Sequence, residues 1–210
     1  LKTVYLYFQI HQPYRLNEYS FFQIGKSHQY ENQELNTQVF EKVSKNCYLK
    51  ANQLFEGLLK KFPNDFALNF GITGTFLEQL NSSNDTLQSF QELFKQANID
   101  ILGETYYHSL SYKFDLEEFK YQVLKHQSTI KNMFDIDVKV FRNTELIYNN
   151  AIADYVSKLG FEAILTEGVD RILKDKSPNQ IFRSAGLGNM LVFARNYKLS
   201  DDIAFRFAEE

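Results

Sequence analysis

The sequence has no tryptophan and a single cysteine. Cys47, set in Lys45-Asn46-Cys47-Tyr48, has no second thiol with which to build a disulfide framework or a thiolate metal site, so it reads as a residue packed into a helix. Long apolar runs are also missing, and none approaches the roughly 20 residues that a membrane-spanning helix requires. The apolar stretch Val4 to Ile10 has the length of a strand, lacks a basic lead and runs straight into polar residues, unlike a secretory leader. No basic block exists to attract a phosphate backbone. The 23 basic and 26 acidic residues are mixed along the chain for a net charge of −3, so neither nucleic acid nor a membrane is an expected partner. With one cysteine and no visible leader, the expected compartment is the cytoplasm.

What is present suits a globular fold. A chain of 210 residues that is 44% hydrophobic can bury a sizeable core, as one domain or a large part of one. Its 13 Tyr and 20 Phe serve either a rich core or a sugar-stacking cleft, with the core as the default for most of them. Segments rich in β-forming residues run from 4 to 10, 66 to 70, 99 to 103, 138 to 142, 162 to 165 and 190 to 194. Between them lie helical patterns: about 36 to 62 with Pro63 as the stop, 85 to 97 with Asn84 or Asp85 as the N-cap, a long helix from Asp115-Leu116-Glu117-Glu118 to Met133, and 147 to 159 ended by Gly160. Lys174 to Gln180 reads as an exposed loop. This alternation predicts an α/β architecture with a largely parallel sheet, in which function gathers in the loops at the strands' carboxyl ends.

Those loops are polar. They contain His11-Gln12-Pro13-Tyr14-Arg15-Leu16, Gly71-Ile72-Thr73-Gly74-Thr75-Phe76-Leu77-Glu78, Glu104-Thr105-Tyr106-Tyr107-His108, Asn143-Thr144-Glu145-Leu146-Ile147-Tyr148 and Arg195-Asn196-Tyr197-Lys198-Leu199-Ser200-Asp201-Asp202. Glycoside hydrolysis needs two carboxyl groups flanking the scissile bond, and Glu145 with the Asp201-Asp202 pair are the natural candidates. Arg142, on the same strand as Glu145, could hold a neighbouring carboxylate ionised. Each residue also has a plainer reading. Glu145 would suit the first turn of a helix, where the macrodipole favours an acid. Asp201 and Asp202 would suit the N-cap of a terminal helix. His11 could be a buried hydrogen-bonding residue, Glu78 and Glu104 surface acids, and His108 a structural partner of Tyr106 or Tyr107.

Taken in order, the segments holding His11, Glu78, Glu145 and Asp201-Asp202 resemble the first four sequence regions of glycoside hydrolase family 57, and the resemblance covers nearly the whole chain. It is nearest to the amylase or amylase-like members. The resemblance implies an irregular seven-stranded (β/α) barrel of the glycoside hydrolase/deacetylase type, acting with retention on α-1,4-glucans or malto-oligosaccharides without metal or other cofactor. By position, Glu145 would be the nucleophile and Asp202 the acid/base, with Asp201 in reserve. His11 and Glu78 would line substrate subsites; Arg142, Glu104 and His108 would be further substrate contacts. Family members continue into a helical region with a fifth motif. Residues 1–210 would therefore be the catalytic barrel domain without that extension, either as a piece of a longer enzyme or as a naturally short form.

Rival classes fit less well. A metal-dependent deacetylase would need paired acids after the first strand and a His-x(3 to 5)-His pair, and a zinc mannosidase-type barrel a His-x-Asp where this chain has His11-Gln12-Pro13. A catalytically weak carbohydrate-binding homologue would not require both Glu145 and Asp202. Within the family, the motifs do not separate hydrolysis from 4-α-glucanotransfer, and they carry no information on oligomeric state.

Overall fold

The computed structural model describes residues 3–207, which divide into two compact units at Asp100–Ile101. In the first unit, β1 (Tyr7–Ile10) pairs in parallel with β2 (Leu68–Ile72), in a register running from Tyr7–Asn69 to Ile10–Ile72. Every residue of β2 is buried, as expected for a central parallel strand covered on both faces. The sheet order is β1-β2-β3, where β3 spans Ile99–Leu102 and the unit boundary falls inside it.

Four helices accompany these strands: α1 (Gln33–Val43), α2 (Leu49–Lys61), α3 (Gly74–Leu80) and α4 (Asn84–Phe94). A wider π-type turn, Ser44–Tyr48, joins α1 to α2. Phenylalanines from these elements interlock, with ring centroids 5.9 Å apart for Phe40–Phe76, 5.5 Å for Phe76–Phe90 and 5.3 Å for Phe70–Phe94. Phe40, Phe70, Phe76, Phe90 and Phe94 are therefore core, whereas Phe21, Phe22 and Phe62 of the same unit are exposed. Cys47 departs from expectation: it is helical but exposed, because the wider turn rotates it outward while Ser44 turns in to pair with Thr86.

The second unit holds α5 (Leu116–Phe134), whose N-cap Asp115 accepts hydrogen bonds from the amides of Glu117 and Glu118. Its strands are β4 (Val140–Arg142), β5 (Ala163–Glu167), β6 (Ile181–Arg183) and β7 (Leu191–Arg195), in the order β4-β5-β7-β6. β4, β5 and β7 are parallel, and β6 runs antiparallel along β7. α6 (Asn150–Ser157), α7 (Asp170–Leu173) and α8 (Tyr197–Asp201) follow β4, β5 and β7, and a second π-type turn spans Asp202–Arg206. Among the described residues no helix is long and apolar enough to cross a membrane.

The expectation of a seven-stranded (β/α) barrel is corrected here. Among the described residues the strands form two separate sheets, of three and four strands, with no closure. Part of the reason is β6, a three-residue strand inside what reads as loop and turn: by pairing antiparallel it takes the outer edge of β7 that a further parallel strand would need. Other boundaries shift by a few residues. β2 begins at Leu68, β5 runs on to Glu167, α4 is preceded by Ser83 as its N-cap residue, and α6 begins only at Asn150.

Gly103 follows β3 and makes a single parallel bridge to Phe141 in β4, donating to the Val140 carbonyl and accepting from the Arg142 amide, both at 2.8 Å. A Cβ at this position would collide with the buried ring of Phe161. Gly103→Ala is therefore expected to lower the unfolding free energy by about 1–3 kcal/mol in urea denaturation, whereas a loss of a few tenths would mean that the ring moves aside freely.

Candidate active site

The loops that leave β3 and β4 meet through side chains. The Glu104 carboxylate is fully buried at 0% exposure, and its Oε2 lies 3.2 Å from Nδ1 of His108. The other ring nitrogen of His108, Nε2, lies 3.3 Å from Oε1 of Glu145, whose side chain is 73% exposed. His108 thus bridges a buried acid and an exposed one. Nearby, the hydroxyls of Thr105 and Thr144 are 3.0 Å apart, and the Asn143 side-chain amide donates to the Ile147 carbonyl to close the turn Thr144–Leu146.

That turn is strained. Glu145 (φ 53°, ψ 26°) and Leu146 (φ 53°) both take the left-handed conformation, and so does His108 (φ 53°). For residues bearing a Cβ this costs about 1–3 kcal/mol each, and it persists where surrounding contacts over-determine it, which is common at functional sites. The helix-dipole reading of Glu145 fails on the same geometry: α6 begins at Asn150, its amides are capped by the Asn149 side chain, and Glu145 stands in a separate turn before it.

Electrostatically, His108 is held above the usual histidine range. Its hydrogen bond to Glu104 is the largest cause; burial opposes it, the Glu104 charge adds to it, the Arg142 charge opposes, and the hydrogen bond to Glu145 adds. Arg142 is 8% exposed, and its Nε and Nη1 have no hydrogen-bond partner among the described residues. These are two strong buried donors without acceptors, an arrangement that suits a ligand oxygen.

A second cluster occupies the carboxyl ends of β5 and β7. Glu167 and Arg195 are register partners, and the Arg195 guanidinium donates to Glu167 Oε2 and to Asp201 Oδ1, each at 3.1 Å. Tyr197 donates its hydroxyl to Asp170 at 2.8 Å. With Val169 and Arg171, these residues line an open cleft of about 450 Å³. Asp202 instead pairs with Arg206, whose Nε donates to Oδ1 at 2.8 Å. The Asn196 side chain caps α8, and Asp201, though it precedes the π-type turn Asp202–Arg206, makes no side-chain capping hydrogen bond to it. Among the described residues no hydrogen bond or ion pair joins Glu145 to Asp201 or Asp202.

In the first unit, Nδ1 of His11 lies 3.0 Å from the hydroxyl of Thr73, the N-cap of α3, and Glu78 on that helix accepts a hydrogen bond from the Tyr14 hydroxyl at 2.9 Å. The structure thus brings together Glu104, His108 and Glu145, and separately Asp201 with Arg195.

The sequence model of glycosyl hydrolase family 57 matches residues 5–210. The chain belongs to this family. It is 44% identical over 205 residues to a curated Methanocaldococcus jannaschii protein provisionally named an alpha-amylase, a match covering 96% of this chain and 43% of that protein. Among solved structures it resembles a 4-alpha-glucanotransferase from Thermococcus litoralis, with a TM-score of 0.70 at 18% identity over 96% of this chain and 29% of that one. It also resembles a family 57 branching enzyme from Thermococcus kodakaraensis, with a TM-score of 0.66 at 15% identity over 95% and 48% of the two chains. At such identities the structural likeness shows a shared fold. The chain spans less than half the length of each of these relatives.

In this family 57 chain, the sequence places Arg195 and Tyr197 in the polar loop after the last strand without assigning them a role, and Glu167 and Asp170 go unmarked. Ending β5 at Leu165 hides the fact that Glu167 lies at a strand's carboxyl end. Arg195 joins two carboxylates, yet all three side chains are about one-third exposed, so each pair should be weak. Arg195→Met is expected to cost about 1 kcal/mol or less per pair, and the loss should shrink as salt is raised in the denaturation series. A salt-independent loss of several kcal/mol would instead show that the cluster is effectively buried.

Proposed function

We propose that this protein is a retaining glycoside hydrolase acting on α-1,4-glucans, with Glu145 as nucleophile and Asp202 as acid/base. The observation that carries the reading is the setting of Glu145: an exposed carboxylate on a strained turn at the carboxyl end of a parallel strand, within hydrogen-bonding reach of a histidine. The M. jannaschii relative's name supports an amylase-type activity.

In the first step the Glu145 carboxylate attacks the anomeric carbon. The C–O bond to the leaving sugar breaks, and that oxygen takes the proton of the Asp202 carboxylic acid. In the second step Asp202, now a carboxylate, takes a proton from water as the water oxygen attacks the same carbon. Glu145 is released, and the product has the starting configuration. Arg142, with two unpartnered donors, would hold a sugar hydroxyl, and the cleft bearing Arg195, Tyr197 and Asp201 would hold a further glucosyl unit. His11 and Glu78 are kept as glucan contacts.

Glu145→Gln should reduce turnover of a malto-oligosaccharide by roughly a thousand-fold or more while leaving its affinity, measured by calorimetry, within a few-fold. Unchanged turnover would remove Glu145 from the mechanism. The two aspartates separate on leaving-group dependence, because a fluoride leaving group needs little protonation. Asp202→Asn should lose turnover on oligosaccharide yet still form the glycosyl-enzyme from α-glucosyl fluoride. If Asp201→Asn shows that pattern instead, the role moves to Asp201.

A further inference from the structure

The chain from Glu104 through His108 to Glu145 does more than line a site. We infer that His108 is a positioning residue for Glu145, anchored by the buried carboxylate of Glu104. The inference rests on Glu145 being the nucleophile.

Each ring nitrogen of His108 faces a carboxylate oxygen, at 3.2 Å on Nδ1 and 3.3 Å on Nε2. A neutral imidazole has one N–H and one lone pair, so it satisfies one carboxylate and turns its lone pair toward the other. Only the imidazolium donates to both at once. When the ring is neutral, the buried Glu104, which has no water to replace its donor, keeps the remaining proton on Nδ1, so Nε2 turns its lone pair toward the exposed Glu145. The contact that aims Glu145 is therefore attractive when His108 is charged and repulsive when it is neutral.

The surroundings favour the charged ring. Glu104 beside the ring, Glu145 across from it and Arg142 from β4 act on His108; the two acids support the cation, while Arg142 and burial oppose it. Glu104, at 0% exposure, is the stronger support, because a buried carboxylate has little water to answer its charge. Glu145 is mostly exposed and would sample many rotamers if unaided. The left-handed backbones of His108 and Glu145 then fix the two side chains toward each other at a conformational cost that neither residue type would choose alone.

As pH rises through the pKa of His108, Nε2 loses its proton and the nucleophile loses its guide, so the chemical step slows on the alkaline side. Removing the Glu104 charge takes away the principal support of the cation, so that alkaline limb should move to lower pH.

The test follows kcat and KM against pH for the full chain with α-glucosyl fluoride, a substrate that suppresses the contribution of the general acid. Three variants are compared with the parent: Glu104→Gln, His108→Asn and Glu145→Gln. Asparagine tolerates the left-handed backbone, so His108→Asn keeps the turn, and circular dichroism confirms folding at each pH. Glu104→Gln should shift the alkaline limb to lower pH. His108→Asn should lower kcat by roughly 10- to 100-fold with KM within a few-fold, and its alkaline limb should no longer respond to Glu104→Gln in the double variant. An unmoved limb in Glu104→Gln, or parental kcat in His108→Asn, overturns the inference while inactive Glu145→Gln keeps the nucleophile assignment intact. An active Glu145→Gln overturns both.

Discussion

Parallel pairing of β4, β5 and β7 is the constraint on which the candidate site depends. Parallel strands send all their carboxyl ends to one edge of the sheet, so whatever follows each strand emerges on the same side. The register is fixed by burial: Phe141, Ile164 and Val192 lie in the core, and a slip of one residue would turn each of them to the opposite face. With that register set, the turn carrying Glu145 follows β4, Glu167 ends β5, and Arg195 ends β7 opposite Glu167. Chemistry-bearing side chains that are distant in sequence share an edge because their strands do.

Above that edge, polar groups are placed where they are expensive. Glu104 and Arg142 are both buried, where a charge is costly to hold. The carboxylate is answered in part by His108, and the guanidinium keeps two donors in hand. The left-handed residues His108, Glu145 and Leu146 fall on the same two loops, which the Thr105–Thr144 hydroxyl contact ties together. Strain, buried charge and an exposed acid thus coincide within a few residues of the ends of β3 and β4. A fold selected only for stability would have little reason to gather them there.

Much of this was legible in the sequence, for reasons of period and punctuation. The buried β2 reads as a short apolar run, Pro63 and Gly160 mark helix ends, and Asp115 announces α5 three residues before its glutamate. The family was legible from ordered motifs at strand ends. What escaped was set by tertiary pairing. β6 has three residues and no apolar period of its own, so only β7 makes it a strand. Separation into two sheets is a property of edge pairing that local pattern does not encode. The burial of Glu104 was equally invisible, since a glutamate beside tyrosines looks the same in sequence whether it faces water or core.

The central claim is that the exposed carboxylate of Glu145 becomes covalently bonded to the sugar. Trapping tests it most directly: the protein is incubated with a slow 5-fluoro-α-glucosyl fluoride, digested, and the labelled peptide sequenced by mass spectrometry. The account predicts one fluoroglucosyl group, attached to Glu145 through an ester. A label on any other carboxylate, or full turnover with inverted product and no label, would contradict it.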